Sequence, residues 1–132
     1  MSQATATASK PLLEKVGKMV EVLMAKKWDE FMPYFHKDLF YKVGAAEPLH
    51  SVQACRDLLA HIYTKLEFTS HNVRGMWEID NIVIIEMDAN YTVIGENRAV
   101  TVPCCDIYRF DENGLIKEWR VYPDASRINV QF

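Results

Sequence analysis

The sequence predicts an α+β domain, on three observations. Apolar residues in the first half recur every three or four positions, and from Phe68 onward they recur at every second position. The alternating stretches are joined by short polar turns, with no helical pattern between them. Helices are therefore gathered ahead of an antiparallel sheet, the order expected when a helix layer packs on a sheet.

The first helix carries Leu12, Leu13, Val16, Met19, Val20, Leu23 and Met24 on one face and Glu14, Lys15, Lys18 and Glu21 on the other. Ser9 is placed to cap it, and Pro11 suits its first turn. Trp28, Phe31, Met32 and Phe35 form a shorter apolar stripe interrupted by Pro33, which predicts a brief, bent helix. Leu39 to Val43 reads as a short strand and the following GAAEPLH as a loop. Val52, Cys55, Leu58, Leu59 and Ile62 mark a third amphipathic helix, with Ser51 as its cap. Two long strands then run from Phe68 to Ile79 and from Ile82 to Ile94, joined at Asp80-Asn81 by a two-residue link of the kind tight hairpins use. Gly95-Glu96-Asn97 leads to a third long strand, Ala99 to Phe110, and Asp111-Glu112-Asn113-Gly114 turns the chain into Leu115 to Tyr122. The result is a meander of four antiparallel strands. Gly75 and Pro103 mark places where bends would curve the sheet, and a curved sheet wrapped against a long helix can hold a cavity.

A chain of 132 residues, 49% hydrophobic and 25% charged, has the size of one globular domain, expected over 11–132 behind a frayed segment 1–10. Folding at this length buries about two thirds of the unfolded surface, enough for a core and one internal pocket. The net charge of -3 and the absence of a basic cluster exclude the electrostatic footprint of a nucleic-acid binder. Cys55, Cys104 and Cys105 are odd in number, and adjacent residues of a strand point to opposite faces, so free thiols in a reducing compartment are expected. No spaced Cys or His pairs suggest zinc, and no nucleotide signature is present, so neither metal nor cofactor is expected. The opening MSQATATASK has no apolar run and a single Lys, which fits neither a secretory leader nor a membrane anchor and makes the cytoplasm the expected location. The conspicuous feature is the aromatic content, six Phe, six Tyr and three Trp.

The run from Asp106 to Asp124, DIYRFDENGLIKEWRVYPD, resembles the hallmark of SnoaL-like proteins in the nuclear transport factor 2-like superfamily. There a polar residue precedes an aromatic strand, a "dGkI" turn follows, and the last strand reads like Glu118-Trp119-Arg120. The resemblance covers about residues 11 to 124. It implies a cone-shaped, curved antiparallel sheet wrapped on a long N-terminal helix. Function varies widely on that fold. Tyr34 to Tyr41 is similar to the segment of limonene epoxide hydrolase that runs into its pocket tyrosine, which implies pocket roles for Tyr41 and for the matching Trp119. The water-activating polar set of that hydrolase falls on Ala89, Met87, Val121 and Val43, all apolar here, so its mechanism does not carry over. The first helix also lacks the Tyr that ketosteroid isomerase uses. SnoaL-type cyclases use a pocket acid as general acid/base for aldol closure, and the resemblance makes Asp106 the candidate.

The residues themselves point to the same acid. Val102, Cys104, Asp106, Tyr108 and Phe110 share one strand face, opposite the apolar face of Val83, Ile85, Met87, Ala89, Tyr91 and Val93. An acid among four apolar residues is the anomaly, and desolvation there would raise its pKa into a useful range. The alternative is a structural acid paired with Arg120, Arg98 or a backbone amide. Tyr41, Tyr91 and Tyr108 are candidates to orient a substrate carbonyl, or else core rings with satisfied hydroxyls. Met87, Val121 and Trp119 are expected as pocket wall. His71, read on one face with Thr69, Val73 and Trp77, could reach the cavity and pair with an acid. His36, His50 and His61 read as surface residues, and Asp124 as a cap or ion-pair partner.

The expected function is cofactor-free acid/base cyclisation or isomerisation of an apolar, oxygenated, polyketide- or terpenoid-like metabolite. The rival is a non-catalytic hydrophobic-ligand-binding or adaptor module. Glu86, Asp88 and Asn90, with Arg109, Lys117 and Arg120 across the sheet, offer a charged outer face on which the resemblance implies a homodimer.

Overall fold

The computed structural model describes residues 10–130 and 132; the expected frayed segment and the Ser9 cap lie outside the described residues, apart from Lys10. Helix α1 spans Pro11–Met24, with Val16, Met19 and Leu23 buried, as its periodicity requires. Lys10 holds the cap position without a side-chain cap bond. The sheet supplies the cap instead: Glu78 Oε1 accepts the amides of Leu12 at 3.1 Å and Leu13 at 3.0 Å. A carboxylate there satisfies two free N–H groups and meets the positive end of the helix dipole.

The second stripe is helical only over Trp28–Phe31 (α2), followed by a 3-10 turn at Met32–Tyr34. Phe35, expected on the helical stripe, opens strand β1, which runs over Phe35–Val43 and so begins four residues before the expected Leu39. Pro33 is the cause, since its ring and missing N–H end an α-helix. Phe35 still packs on Phe31, with ring centroids 4.7 Å apart. Helix α3 spans Val52–Ile62, and Ser51 caps it as expected, its Oγ accepting the Ala54 amide at 3.0 Å.

Strands β2 (Leu66–Ile79), β3 (Ile82–Val93), β4 (Arg98–Phe110) and β5 (Ile116–Pro123) form the expected antiparallel meander. Asp80 adopts the left-handed conformation at the β2–β3 turn. β1 adds in parallel to β5, pairing Tyr41 with Trp119 and Val43 with Val121, which gives the order β1-β5-β4-β3-β2 in one curved, unclosed sheet.

Two register shifts bend β2, between Phe68 and Ser70 and between Val73 and Gly75. An extra residue at each point flips the alternation beyond it. The expected shared face of His71, Thr69, Val73 and Trp77 is corrected accordingly. Phe68, His71 and Val73 oppose the inward residues Tyr91, Ala89 and Met87, whereas Trp77 opposes Ile84, is 47% exposed and lays its ring over Gly75. Pro103 needs no bulge: the β3–β4 register is unbroken, and Pro103 sits one residue beyond the β5 pairing, where its carbonyl accepts the Asp124 amide.

The core lies between α1, α3 and the concave sheet face, with Val16, Met19, Phe31, Leu39, Val83, Tyr108, Phe110 and Ile116 essentially inaccessible. The cysteines are free.

Candidate active site

β4 and β5 build the site through their alternation. Cys104, Asp106 and Tyr108 are two residues apart on β4, so their side chains share the concave face, and Trp119 pairs with Tyr108 across the ladder. Asp106 is 6% exposed and is the buried charged side chain of the core among the described residues. Its Oδ2 accepts the Tyr108 hydroxyl at 3.1 Å and the Trp119 indole N–H at 3.3 Å. Its Oδ1 accepts only the Cys104 thiol, at 3.0 Å.

Every donor is neutral. The arginines named as alternative partners are engaged elsewhere, Arg120 with Glu118 and Arg98 with Glu96. Burial raises the Asp106 pKa above the ordinary carboxylate value, and the bonds from Cys104, Trp119 and Tyr108 partly offset that rise. The asymmetry between its oxygens matters chemically. Oδ2 has two donors, whereas Oδ1 has one weak thiol partner and keeps capacity to take or hold a proton.

Asp106 opens into a chamber of about 90 Å³, walled by Tyr41, His71, Met87, Tyr91, Trp119 and Val121 among others. A second chamber of about 340 Å³ lies beyond it and is almost wholly apolar, with Val43, Leu58, Ile62, Leu66 and Ile128 in its wall. The two share Tyr41, Leu59, Tyr63, Ala89, Tyr91, Cys104 and Val121, so they form one cavity with a waist. Burial pushes the phenols of Tyr41, Tyr63 and Tyr91 upward, and the Asp106 charge pushes each in the same direction. These rings are neutral donors at any physiological pH.

Tyr41, Tyr91, Trp119, Met87 and Val121 thus stand at the cavity with Asp106. Two expectations are adjusted. The Tyr108 hydroxyl is bound to Asp106 and does not face a ligand, and Trp119, expected as a wall, also donates its N–H to the acid. His71 reaches the inner chamber but forms no hydrogen bond with an acid among the described residues; its ring meets Phe68 edge-on at 4.2 Å, and burial lowers its pKa to about 4. The surface readings of His50 and His61 agree with their exposure, although His36 belongs to β1, where its Nδ1 accepts the Asp38 amide. Asp124 caps its own turn, Oδ1 accepting both the amide and the hydroxyl of Ser126.

Sequence reasoning missed Tyr63. It follows α3 as the next step of the Val52, Cys55, Leu59 spacing, a signal that extending the helical stripe by one turn would have caught. No group of three or more His, Cys, Asp or Glu among the described residues is arranged to hold a metal.

An open, cone-like sheet closed by helices around a cavity is the nuclear transport factor 2-like fold, and solved structures share it. A protein of Shewanella putrefaciens named for its likeness to SnoaL-like polyketide cyclases superposes with a TM-score of 0.80 at 14% identity, covering 92% of this chain and 95% of its own. An LEH-like epoxide hydrolase of M. tuberculosis gives 0.73 at 17% identity, over 87% of this chain and 84% of that one. A Catenulispora acidiphila protein of ketosteroid isomerase-like fold, solved with trimethylamine, gives 0.71 at 14% identity, covering 83% and 84%. The SnoaL-like domain model matches residues 16–119, and the chain belongs to that family. No curated protein matches it.

Proposed function

We propose that the protein is a cofactor-free acid/base enzyme that cyclises or isomerises an apolar, oxygenated small molecule, with Asp106 as the proton carrier. The observation that carries this reading is a buried carboxyl with no cationic partner, lining a cavity and held by neutral donors alone. Ionised Asp106 would remove a proton from a carbon next to a substrate carbonyl while a tyrosine hydroxyl donates to the carbonyl oxygen. The electron pair moves into the enolate. In an isomerisation, Asp106 returns the proton to a more distant carbon of the conjugated system. In a cyclisation, the enolate carbon attacks a second carbonyl carbon and Asp106 gives its proton to the new alkoxide. Tyr41 and Tyr91 are the donors this reading uses, while Tyr108, Trp119 and Cys104 hold the acid. His71, neutral because of its burial, supplies polarity at the inner wall.

Asp106→Asn keeps the shape and removes the base. Turnover of a verified substrate should disappear while ligand affinity stays nearly intact, and unchanged turnover would sink the role. The uniformly apolar larger chamber favours a second reading, a hydrophobic-ligand carrier, for which the decisive result is a bound ligand recovered chemically unaltered after long incubation.

The reading also takes 11–132 as a single domain in a reducing compartment such as the cytoplasm, consistent with three free thiols. It makes the protein a homodimer through the outer sheet face. Exposed Trp77, Ile79 and Tyr122 support that arrangement, and a monomer mass by light scattering would refute it.

A further inference from the structure

Three phenols crowd the waist between the chambers, and their hydroxyls have no hydrogen-bond partner among the described residues, although the rings of Tyr41 and Tyr63 are 3% and 8% exposed. A buried hydroxyl without a partner costs about 1–3 kcal/mol. The arrangement leaves three neutral donors free for an oxygen that enters the cavity. Tyr41 on β1, Tyr63 at the end of α3 and Tyr91 on β3 line both chambers, so three separate elements bring phenols to one apolar passage.

Size and charge narrow what can sit there. At ~30 Å³ per water-sized group, the outer chamber of about 340 Å³ holds roughly eleven such groups and the inner one of about 90 Å³ roughly three. No Lys or Arg lines either chamber, and the sole carboxylate is Asp106, so an anion would be desolvated beside a negative charge with nothing to pair it. Asp106 already holds three donors and does not need a cationic ligand.

We infer that the cavity takes an uncharged molecule of up to about fifteen heavy atoms, a hydrocarbon body in the outer chamber and one carbonyl or hydroxyl oxygen held at the waist by Tyr41 and Tyr91 with Tyr63 as a third donor, and a short end passing on to Asp106. Tyr63 becomes a specificity-determining residue. A four-ring skeleton exceeds this size. The inference rests on the acid/base reading above, because it takes the short end beside Asp106 as the reacting end.

The test is calorimetric binding of five probes at pH 8: 2-undecanone, undecane, decanoate, decylamine and a four-ring steroid ketone. The expected result is that 2-undecanone binds at least tenfold more tightly than each of the others. Tyr41→Phe and Tyr63→Phe should each weaken ketone binding about three- to tenfold, the worth of one neutral hydrogen bond. Both variants should melt at or above the parent temperature, because each deletes a hydroxyl that has no partner. Equal or tighter binding of the anion, the amine or the steroid overturns the inference, as does ketone binding that ignores both Phe variants or undecane binding as well as the ketone. Failure of the underlying reading looks different. If the ketone binds as stated and Asp106→Asn never alters the turnover of any molecule in this class, the enzyme role falls and the ligand class stands. Asp106-dependent turnover of a charged or four-ring substrate does the reverse.

Discussion

Replacing Tyr108 by Phe removes one oxygen and leaves the ring, which stacks on Trp119 with centroids 5.2 Å apart, in place. The hydroxyl lost is one of two donors to Asp106 Oδ2, and the remaining indole bond is the longer of the two, at 3.3 Å. A hydrogen bond to a charged group is worth about 1.5–3 kcal/mol, against 0.5–1.5 for a neutral pair, and no cavity term adds because the ring still fills its site. Tyr108→Phe should therefore lose ~2 kcal/mol at pH values above the raised folded pKa of Asp106, where the carboxylate is charged, or roughly 1 M in urea midpoint at an m value of about 2 kcal/mol/M. The sign with pH follows from the raised Asp106 pKa. Folding favours the protonated carboxyl, so its stabilising contribution is full below the unfolded value and is lost as pH rises through the folded one. Tyr108→Phe raises the folded pKa further. Its penalty should thus be full above that pKa and shrink to about 1 kcal/mol or less at acid pH, where the bond is neutral. The assay is urea denaturation of parent and variant at a series of pH values, compared at each pH so that other groups cancel. A penalty that stays constant across the pH series, or that falls as pH rises, would refute the claim that this hydroxyl serves the buried carboxylate.

Three further outcomes are expected. His71 should titrate near pH 4 by NMR of its ring carbons; its neutral form contributes stability that is full above the ordinary 6.5 and is lost as pH falls through about 4, and a midpoint near 6.5 would contradict its burial. Glu78→Ala should cost ~1 kcal/mol and speed hydrogen exchange at the Leu12 and Leu13 amides, and unchanged exchange there would show that the cap is idle. Phe31→Ala empties a fully buried ring site between Trp28 and Phe35, and should cost about 3–5 kcal/mol in denaturant unfolding.

Periodicity alone recovered two of the helices and the four-strand meander, because most of their apolar faces run unbroken: Val83 to Val93 alternates without a break, and the structure buries Val83, Ile85, Met87, Ala89 and Val93 on that face. It did not reveal where β1 goes, since a short strand encodes its own faces and not its neighbour. The phase of β2 was also illegible, because reading every second residue assumes a regular strand, and the two shifts put Trp77 outside and kept His71 in. At the site, the alternation of β4 marked Asp106 as misplaced among apolar residues. It could not show that the thiol, the phenol and the indole N–H would all be its donors, since those contacts depend on side-chain directions and on the β4–β5 register. The helical cap had a similar fate: Glu78 is 65 residues or more from the amides it holds.

The pairing of Tyr41 with Trp119 joins distant stretches of chain, and it bears on the order of assembly. Hairpins β2–β3, β3–β4 and β4–β5 close short loops, whereas β1–β5 closes a long one and pays the larger entropy before any contact repays it. The acid and its three donors, all on β4 and β5, can come together while the cavity is still open to water on the β1 side. An edge strand that arrives late is also a natural place for the native protein to open first. Release of β1 alone would take the Phe35 and Tyr41 rings off Trp119 and open Asp106 to water, while β4 and β5 stay paired and keep Cys104, Tyr108 and Trp119 beside the acid. Amide exchange at the β1 positions faster than along β3 and β4 would be its signature.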